Sequence, residues 1–259
     1  MQRIGFIGAS GMMGHGMAKN LRAKGYPLAL TVHRNRERVA DLLAAGATLA
    51  ATPAELARGS DIVFLCVTGS PQVEAAVSGP EGLLAGAARG LVIVDTSTAE
   101  PESTNRLRAL CEAQGVQFVD APLARTPTEA EAGRLNVMVG ATAAQFALLE
   151  PVIRAFAENV FHVGAPGAGH VIKLLNNFIA QASCTAVAEA FAVGQKAGVD
   201  LRQLIALMSA GLVNSGLIQV MAKTLDGDLA GMKFELNNAR KDIRYYTHLA
   251  EGLGVPTVV

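Results

Sequence analysis

The chain has 259 residues, and its 22 lysines and arginines balance 22 aspartates and glutamates to a formal net charge of zero. Hydrophobic residues make up 51% and charged residues 17%, the latter below the roughly 25% of an average soluble domain. Such a composition excludes intrinsic disorder, and neutrality removes the basic footprint that a nucleic-acid partner requires. Cys66, Cys111 and Cys184 are too widely spaced for a metal-ligand pattern, and an odd number cannot close a disulfide set, so a reducing, cytoplasmic setting is expected. The N-terminus runs straight into a glycine-rich turn with no secretory leader pattern. The uncharged stretch 203–222 carries Asn214, Ser215, Gly216 and Gln219, which reads as broken helix rather than a membrane span.

In chain order, β-branched apolar runs at 3–8, 28–32, 61–67, 91–95 and 116–120 alternate with helical patterns at about 12–25, 36–45, 71–77 and 100–114. Strands apolar throughout, rather than every second residue, suit a parallel sheet covered on both faces. The repetition predicts a doubly wound α/β domain. A further strand, helix and strand follow at 136–140, 143–156 and 159–164. After the breaker cluster Ala165-Pro166-Gly167-Ala168-Gly169 nothing reads as a strand. Residues 168–197 predict one helix about 45 Å long, followed by helical patterns at about 200–210, 214–224 and 234–252. The expected division is a dinucleotide-binding domain at 1–165 and an all-helical domain at 166–259.

Gly8-Ala9-Ser10-Gly11-Met12-Met13-Gly14 follows the first strand and opens the first helix. In that context the glycines let backbone approach a pyrophosphate, whose charge the helix N-terminus favours. A tight turn without a ligand is the competing reading. An NAD-type site places an acid at the end of the second strand, about 20 residues on. Here the residues are His33, Arg34, Asn35 and Arg36, with Glu37 the first acid, so a 2′-phosphate held by arginine, and hence NADP with NAD possible, is expected.

From Asn159 to Ala188 the single formally charged residue is Lys173. Such a lysine either snorkels to water or is held for chemistry, since burial lowers an ammonium pKa toward values useful in proton transfer. Asn177 stands one helical turn on, on the same face, close to where a cleft between domains is expected. In carbonyl reduction, the oxygen that becomes an alkoxide needs a proton, and this lysine can supply it.

Together these residues resemble the β-hydroxyacid dehydrogenases, which include 3-hydroxyisobutyrate dehydrogenase and the tartronate semialdehyde, succinic semialdehyde and sulfolactaldehyde reductases. The resemblance spans about residues 3–256 and rests on GFIGASGMMGHGMAKNL at the start, VDTST at 94–98, DAPLART at 120–126 and GAGHVIKLLNN at 167–177, with Lys241-Asp242-Ile243 as a later match. It implies a Rossmann domain joined by a long helix to a helical domain that also builds a homodimer or homotetramer. It further implies that Lys173 is the catalytic lysine, that Asn177 positions the substrate oxygen, that Thr98 and Val67 border the nicotinamide, and that Lys241 closes over the cofactor.

Three departures stand out. The glycine turn has one residue more than the family's GLGxMG. The loop read as DAPVSGG in many members is here Asp120-Ala121-Pro122-Leu123-Ala124-Arg125-Thr126, similar to the sulfolactaldehyde reductases, so Ala124, Arg125 and Thr126 are expected to hold an anionic substrate end. The sequence stops at Val259, where relatives continue into a last helix, which is expected to be missing. Imine reductases share the architecture, but their lysine position carries a different residue. A non-catalytic dinucleotide-binding module would not need Lys173 and Asn177 together. The five histidines show no clustering with acids along the sequence, so no metal is expected.

Overall fold

The computed structural model describes residues 1–32, 35–229, 231–232 and 234–257. In chain order its elements are β1 (Ile4–Ile7), α1 (Met12–Ala23), β2 (Leu28–Thr31), α2 (Ala40–Ala44), β3 (Thr48–Leu49), α3 (Pro53–Arg58), β4 (Ile62–Leu65), α4 (Ser70–Ser78), β5 (Val92–Asp95), α5 (Pro101–Ala113) and β6 (Gln117–Asp120). There follow β7 (Leu123–Ala124), α6 (Pro127–Glu131), β8 (Leu135–Gly140), α7 (Ala143–Ile153), β9 (Ala157–Gly164), α8 (Ala168–Lys196), α9 (Leu201–Ala210), α10 (Gly216–Ala222) and α11 (Leu236–Gly252). They form two compact units, Met1–Lys173 and Leu174–Val259, divided within α8.

The first unit is a mixed α/β fold around one sheet of order β3-β2-β1-β4-β5-β6-β8-β7, with β9 beside β8. Alternate residues of each central strand feed different cores. Phe6, Phe64, Val94 and Val119 pack with Met17 and Leu21 of α1 and Leu149 and Val152 of α7. Val63, Leu65, Ile93 and Phe118 pack on the other face with Leu56, Val73, Val77 and Leu107 from α3, α4 and α5. Burial on both faces is why these strands are continuously apolar.

The pairs β1–β2, β1–β4, β4–β5 and β5–β6 are parallel. One part of the expected parallel sheet needs correction: β8 runs antiparallel to β6 and β7. Residues 121–134 between β6 and β8 are taken up by β7 and the five-residue α6, so no full crossover helix spans the sheet to bring the chain back parallel. Because the chain leaves β1 for β2 and returns to β4 on its other side, a topological switch point lies at the C-terminal end of β1, where open α/β sheets bind ligands.

The second unit is helical. Val187, Phe191 and Ile218 form its core with Leu201, Leu204, Ile205 and Met208. The region expected as broken helix divides into α9 and α10, with Asp200 and Ser215 as N-caps. By length and composition alone, α8 is long and apolar enough to cross a membrane.

Candidate active site

The glycine turn sits at the switch point. Gly8 has φ +99°, and a Cβ there would lie 2.1 Å from the Cys66 carbonyl oxygen. A Cβ on Gly14 would lie 2.3 Å from the Gly8 oxygen. The Gly11 N–H donates to that same oxygen at 3.0 Å, so the extra residue is taken up in a tight Gly8–Gly11 turn before α1 begins. Gly11 caps α1 without a side-chain hydrogen bond, and the first turn holds no acid. A close backbone approach and first-turn amides with no capping side chain suit a pyrophosphate.

Ser10, Gly11 and Met12 line a pocket of about 240 Å³ together with His15, Arg38 and Glu131. Of the basic residues expected after β2, His33 and Arg34 lie outside the described residues, while Asn35 and Arg36 are exposed. Arg38 was not anticipated. Its signal was the repeat of arginine at every second position from 34 to 38.

His15 meets Glu131 through Nδ1 at 2.6 Å and Asp41 through Nε2 at 3.1 Å, partners 116 and 26 positions away that spacing could not reveal. Burial opposes its charge, but the hydrogen bonds to Glu131 and Asp41 outweigh that and raise its pKa above 6.5. The bond to His15 holds Asp41 below the usual carboxylate range. Burial works to raise Glu131, but its bonds to His15 and Lys19 prevail and lower it. The stability from His15 is therefore full below its unfolded pKa, about 6.5, and is lost as pH rises through its raised folded value. The carboxylate part is present above about pH 4 and is lost on acidification. Thermal unfolding across pH should show His15→Ala with a shallower alkaline decline than the wild type; parallel curves would contradict the assignment.

At the ends of β4 and β5, the Val67 N–H donates to Ser97 Oγ at 3.0 Å, and the Ser97 N–H donates to Asp95 Oδ1 at 2.9 Å. Half-buried Thr98 follows Ser97 on the loop after β5. The loop after β6 is committed in ways the sequence did not disclose. Asp120 is buried and accepts from the Gly167 and His170 N–H groups at 2.6 and 3.0 Å, fastening the start of α8 to the sheet. Gly169 permits this, since a Cβ there would lie 2.6 Å from the Met138 oxygen. Ala124 pairs with Asn136 across β7 and β8. Arg125 has φ +82° and donates to Glu158 and to the Arg134 carbonyl. Thr126 caps α6 in a capping box with Glu129.

Lys173 is half-buried on α8, one turn beyond the Asp120 anchor. In the second unit, Asn177 Nδ2 donates to Asp242 Oδ2 at 2.6 Å, and Lys241 Nζ lies 2.9 Å from Asp242 Oδ1 and 5.0 Å from the Tyr245 ring centroid. Buried Asp242 therefore joins the two residues named from the resemblance. Among the described residues, no group of three or more His, Cys, Asp or Glu side chains could hold a metal.

Residues 3–164 match the model of the NAD binding domain of 6-phosphogluconate dehydrogenase, and residues 167–259 match that of NAD-binding of NADP-dependent 3-hydroxyisobutyrate dehydrogenase. The chain is 34% identical to 2-(hydroxymethyl)glutarate dehydrogenase of Eubacterium barkeri, over 93% of this chain and 80% of that protein. The chain belongs to the β-hydroxyacid dehydrogenase family. It is also 31% identical to 3-sulfolactaldehyde reductase of Escherichia coli, over 99% of this chain and 86% of that one. A crystal structure of 3-hydroxyisobutyrate dehydrogenase from Salmonella typhimurium has a TM-score of 0.83 at 27% identity, covering 98% of this chain and 89% of the other. Family membership makes the chain an NAD(P)-binding oxidoreductase, and the residues at the switch point fit the dinucleotide: the backbone cradle at Gly8 and Gly14 would be filled by any larger side chain.

Proposed function

We propose that this β-hydroxyacid dehydrogenase interconverts a short semialdehyde and a 3-hydroxy acid carrying an anionic end group, with NADP(H) as the preferred cofactor. Residues 1–165 hold the dinucleotide, and residues 166–259 complete the substrate side and build a homodimer or homotetramer. The observation that carries the reading is Lys173 standing one turn beyond an α8 start that Asp120 fastens to the sheet end. It supports the reading that this lysine, in the same compact unit as Gly8–Gly14, Val67 and Thr98, serves a substrate bound beside them.

Ser10, Gly11, Met12, Met13 and the glycines receive the pyrophosphate on backbone N–H groups. Arg38 supports the NADP preference because it lines the same pocket as Ser10–Met12, beside His33, Arg34 and Asn35 in the sequence. When bound, the nicotinamide supplies or accepts the hydride. Lys173 holds the substrate oxygen and gives it a proton on reduction, or removes one on oxidation. Asn177, oriented by Asp242, is the second group for that oxygen, and Lys241 covers the cofactor. Exposed Leu175, Ile179 and Val193 on α8 support self-association.

The substrate anion is assigned to the loop Ala124–Thr126, with Arg125 as its charged member. Its surface pair with Glu158 contributes only about 0–1 kcal/mol, so exchanging that partner for a sulfonate or carboxylate costs little. Charge-assisted bonds of this kind are worth about 1.5–3 kcal/mol, so Arg125→Ala should lower kcat/KM for anionic aldehydes by roughly 10- to 100-fold and leave neutral aldehydes unchanged. Equal losses on both, or none, would remove Arg125 from the anion site. The function itself is tested by following NADPH and NADH consumption with sulfolactaldehyde, tartronate semialdehyde and succinic semialdehyde; cofactor binding without turnover on any of them would favour a non-catalytic module.

A further inference from the structure

Behind the loop bearing Thr98, two fully buried groups face each other. Asp95 Oδ2 and His170 Nε2 are 3.7 Å apart, and neither has another hydrogen-bond partner. The other ends of both groups are committed. Asp95 Oδ1 accepts from the Ser97 N–H. His170 Nδ1 lies 2.7 Å from Thr104 Oγ1, whose hydroxyl donates to the Glu100 carbonyl at 3.1 Å. Thr104 has one hydroxyl proton; we assign it to the Glu100 carbonyl, the i−4 acceptor on its own helix, which places a proton on His170 Nδ1. The neutral ring then presents a bare Nε2 lone pair to a carboxylate oxygen. Two acceptors facing each other in a dry interior are costly, whereas one proton between them satisfies both.

We propose that Asp95 and His170 share a single buried proton and act as a positioning pair for Lys173, locking the first turn of α8 to the nicotinamide loop 95–98. The proposal rests on the proposed role of Lys173, which follows His170 by three residues on α8. Burial pushes the Asp95 carboxyl above the usual range, in keeping with a retained proton. The titratable groups facing the pair are Asp120 at the end of β6 and Cys66 at the end of β4. Asp120 accepts from the Gly167 and His170 N–H groups, and burial pushes the Cys66 thiol up to about 12, so neither supplies a cation to replace the shared proton. Loss of that proton at alkaline pH leaves two facing lone pairs and frees the α8 start, which predicts an alkaline decline in kcat.

Nitrogen-15 NMR of histidine-labelled full-length protein reads the proton directly, without any turnover. Both His170 ring nitrogens should show protonated or proton-sharing shifts at neutral pH, and a plain imine Nε2 beside an ionised Asp95 would overturn the proposal. His170→Ala should lower kcat by roughly 10- to 100-fold, as misplacement of a reacting group does, with NADPH affinity unchanged. His170→Gln and Asp95→Asn each keep a donor between the two positions that does not titrate, so they should restore most of kcat and abolish the alkaline limb. A His170→Ala enzyme with wild-type kcat and pH profile, or a His170→Gln enzyme as slow as His170→Ala, would overturn the positioning role. Turnover retained by Lys173→Ala would remove the functional reading instead, and the NMR result would still decide the shared proton.

Discussion

Lys173→Ala is expected to lower kcat by about two to four orders of magnitude, the usual contribution of a positioned general acid or base, with NADPH bound as tightly as by the wild type. The separation follows from placement. In the proposed site the cofactor is received by backbone at Gly8–Gly14 and by the loop at Thr98, whereas Lys173 stands on α8, whose start is fixed independently by Asp120. Removing the ammonium therefore removes the proton donor and leaves the cradle intact. Lys173→Arg should rescue little, because a guanidinium stays protonated at any working pH and cannot pass its proton on. Stopped-flow kinetics paired with fluorescence titration of NADPH would check both halves. Near-normal turnover, or a loss traced to cofactor affinity, would contradict the assignment.

Gly8→Ala is the second large effect. The new Cβ would sit 2.1 Å from the Cys66 carbonyl oxygen, a backbone atom directly after β4 that cannot swing aside, at φ +99°. Strained backbone and overpacking each cost about 1–3 kcal/mol, so a total of roughly 2–6 kcal/mol is expected. Any relaxation displaces the turn proposed to receive the pyrophosphate, so the variant should lose thermal stability and cofactor affinity together. Gly11→Ala is the internal control: its φ is −83°, and its Cβ would meet only the Gly8 oxygen, at 3.2 Å. Calorimetric unfolding and NADPH titration of both variants should rank Gly8→Ala as much the more damaged. Equal behaviour of the two would mean that the turn is not built around Gly8.

Much of this was legible in the sequence because it depends on local pattern. The central strands are apolar on both faces because α1 and α7 cover one side of the sheet and α3, α4 and α5 the other. The predicted helix at 168–197 matches α8 within one residue, since nothing between Ala168 and Lys196 interrupts it. Elements too short to carry a period escaped: β3 and β7 have two residues each, and α6 has five. What also escaped is partnership. Residue type identified Arg125 as a cation, but its pairing with Glu158 depends on two strands that are distant in sequence. His15 and His170 read as scattered histidines because their acids, Asp41 on α2, Glu131 on α6 and Asp95 on β5, are brought near only by the tertiary fold. Both stood inside recognised motifs, one directly after Gly14 and the other three residues before Lys173. That position was the available signal.

The central claim is hydride transfer between the nicotinamide and an anionic semialdehyde. It is tested most directly with NADPH carrying deuterium at the transferable C4 position, incubated with the wild-type protein and tartronate semialdehyde or sulfolactaldehyde. The account predicts that the deuterium appears on the carbinol carbon of the hydroxy acid product, in stoichiometric yield with the NADP formed. A product without the label, or no product while the protein binds NADPH, would contradict it.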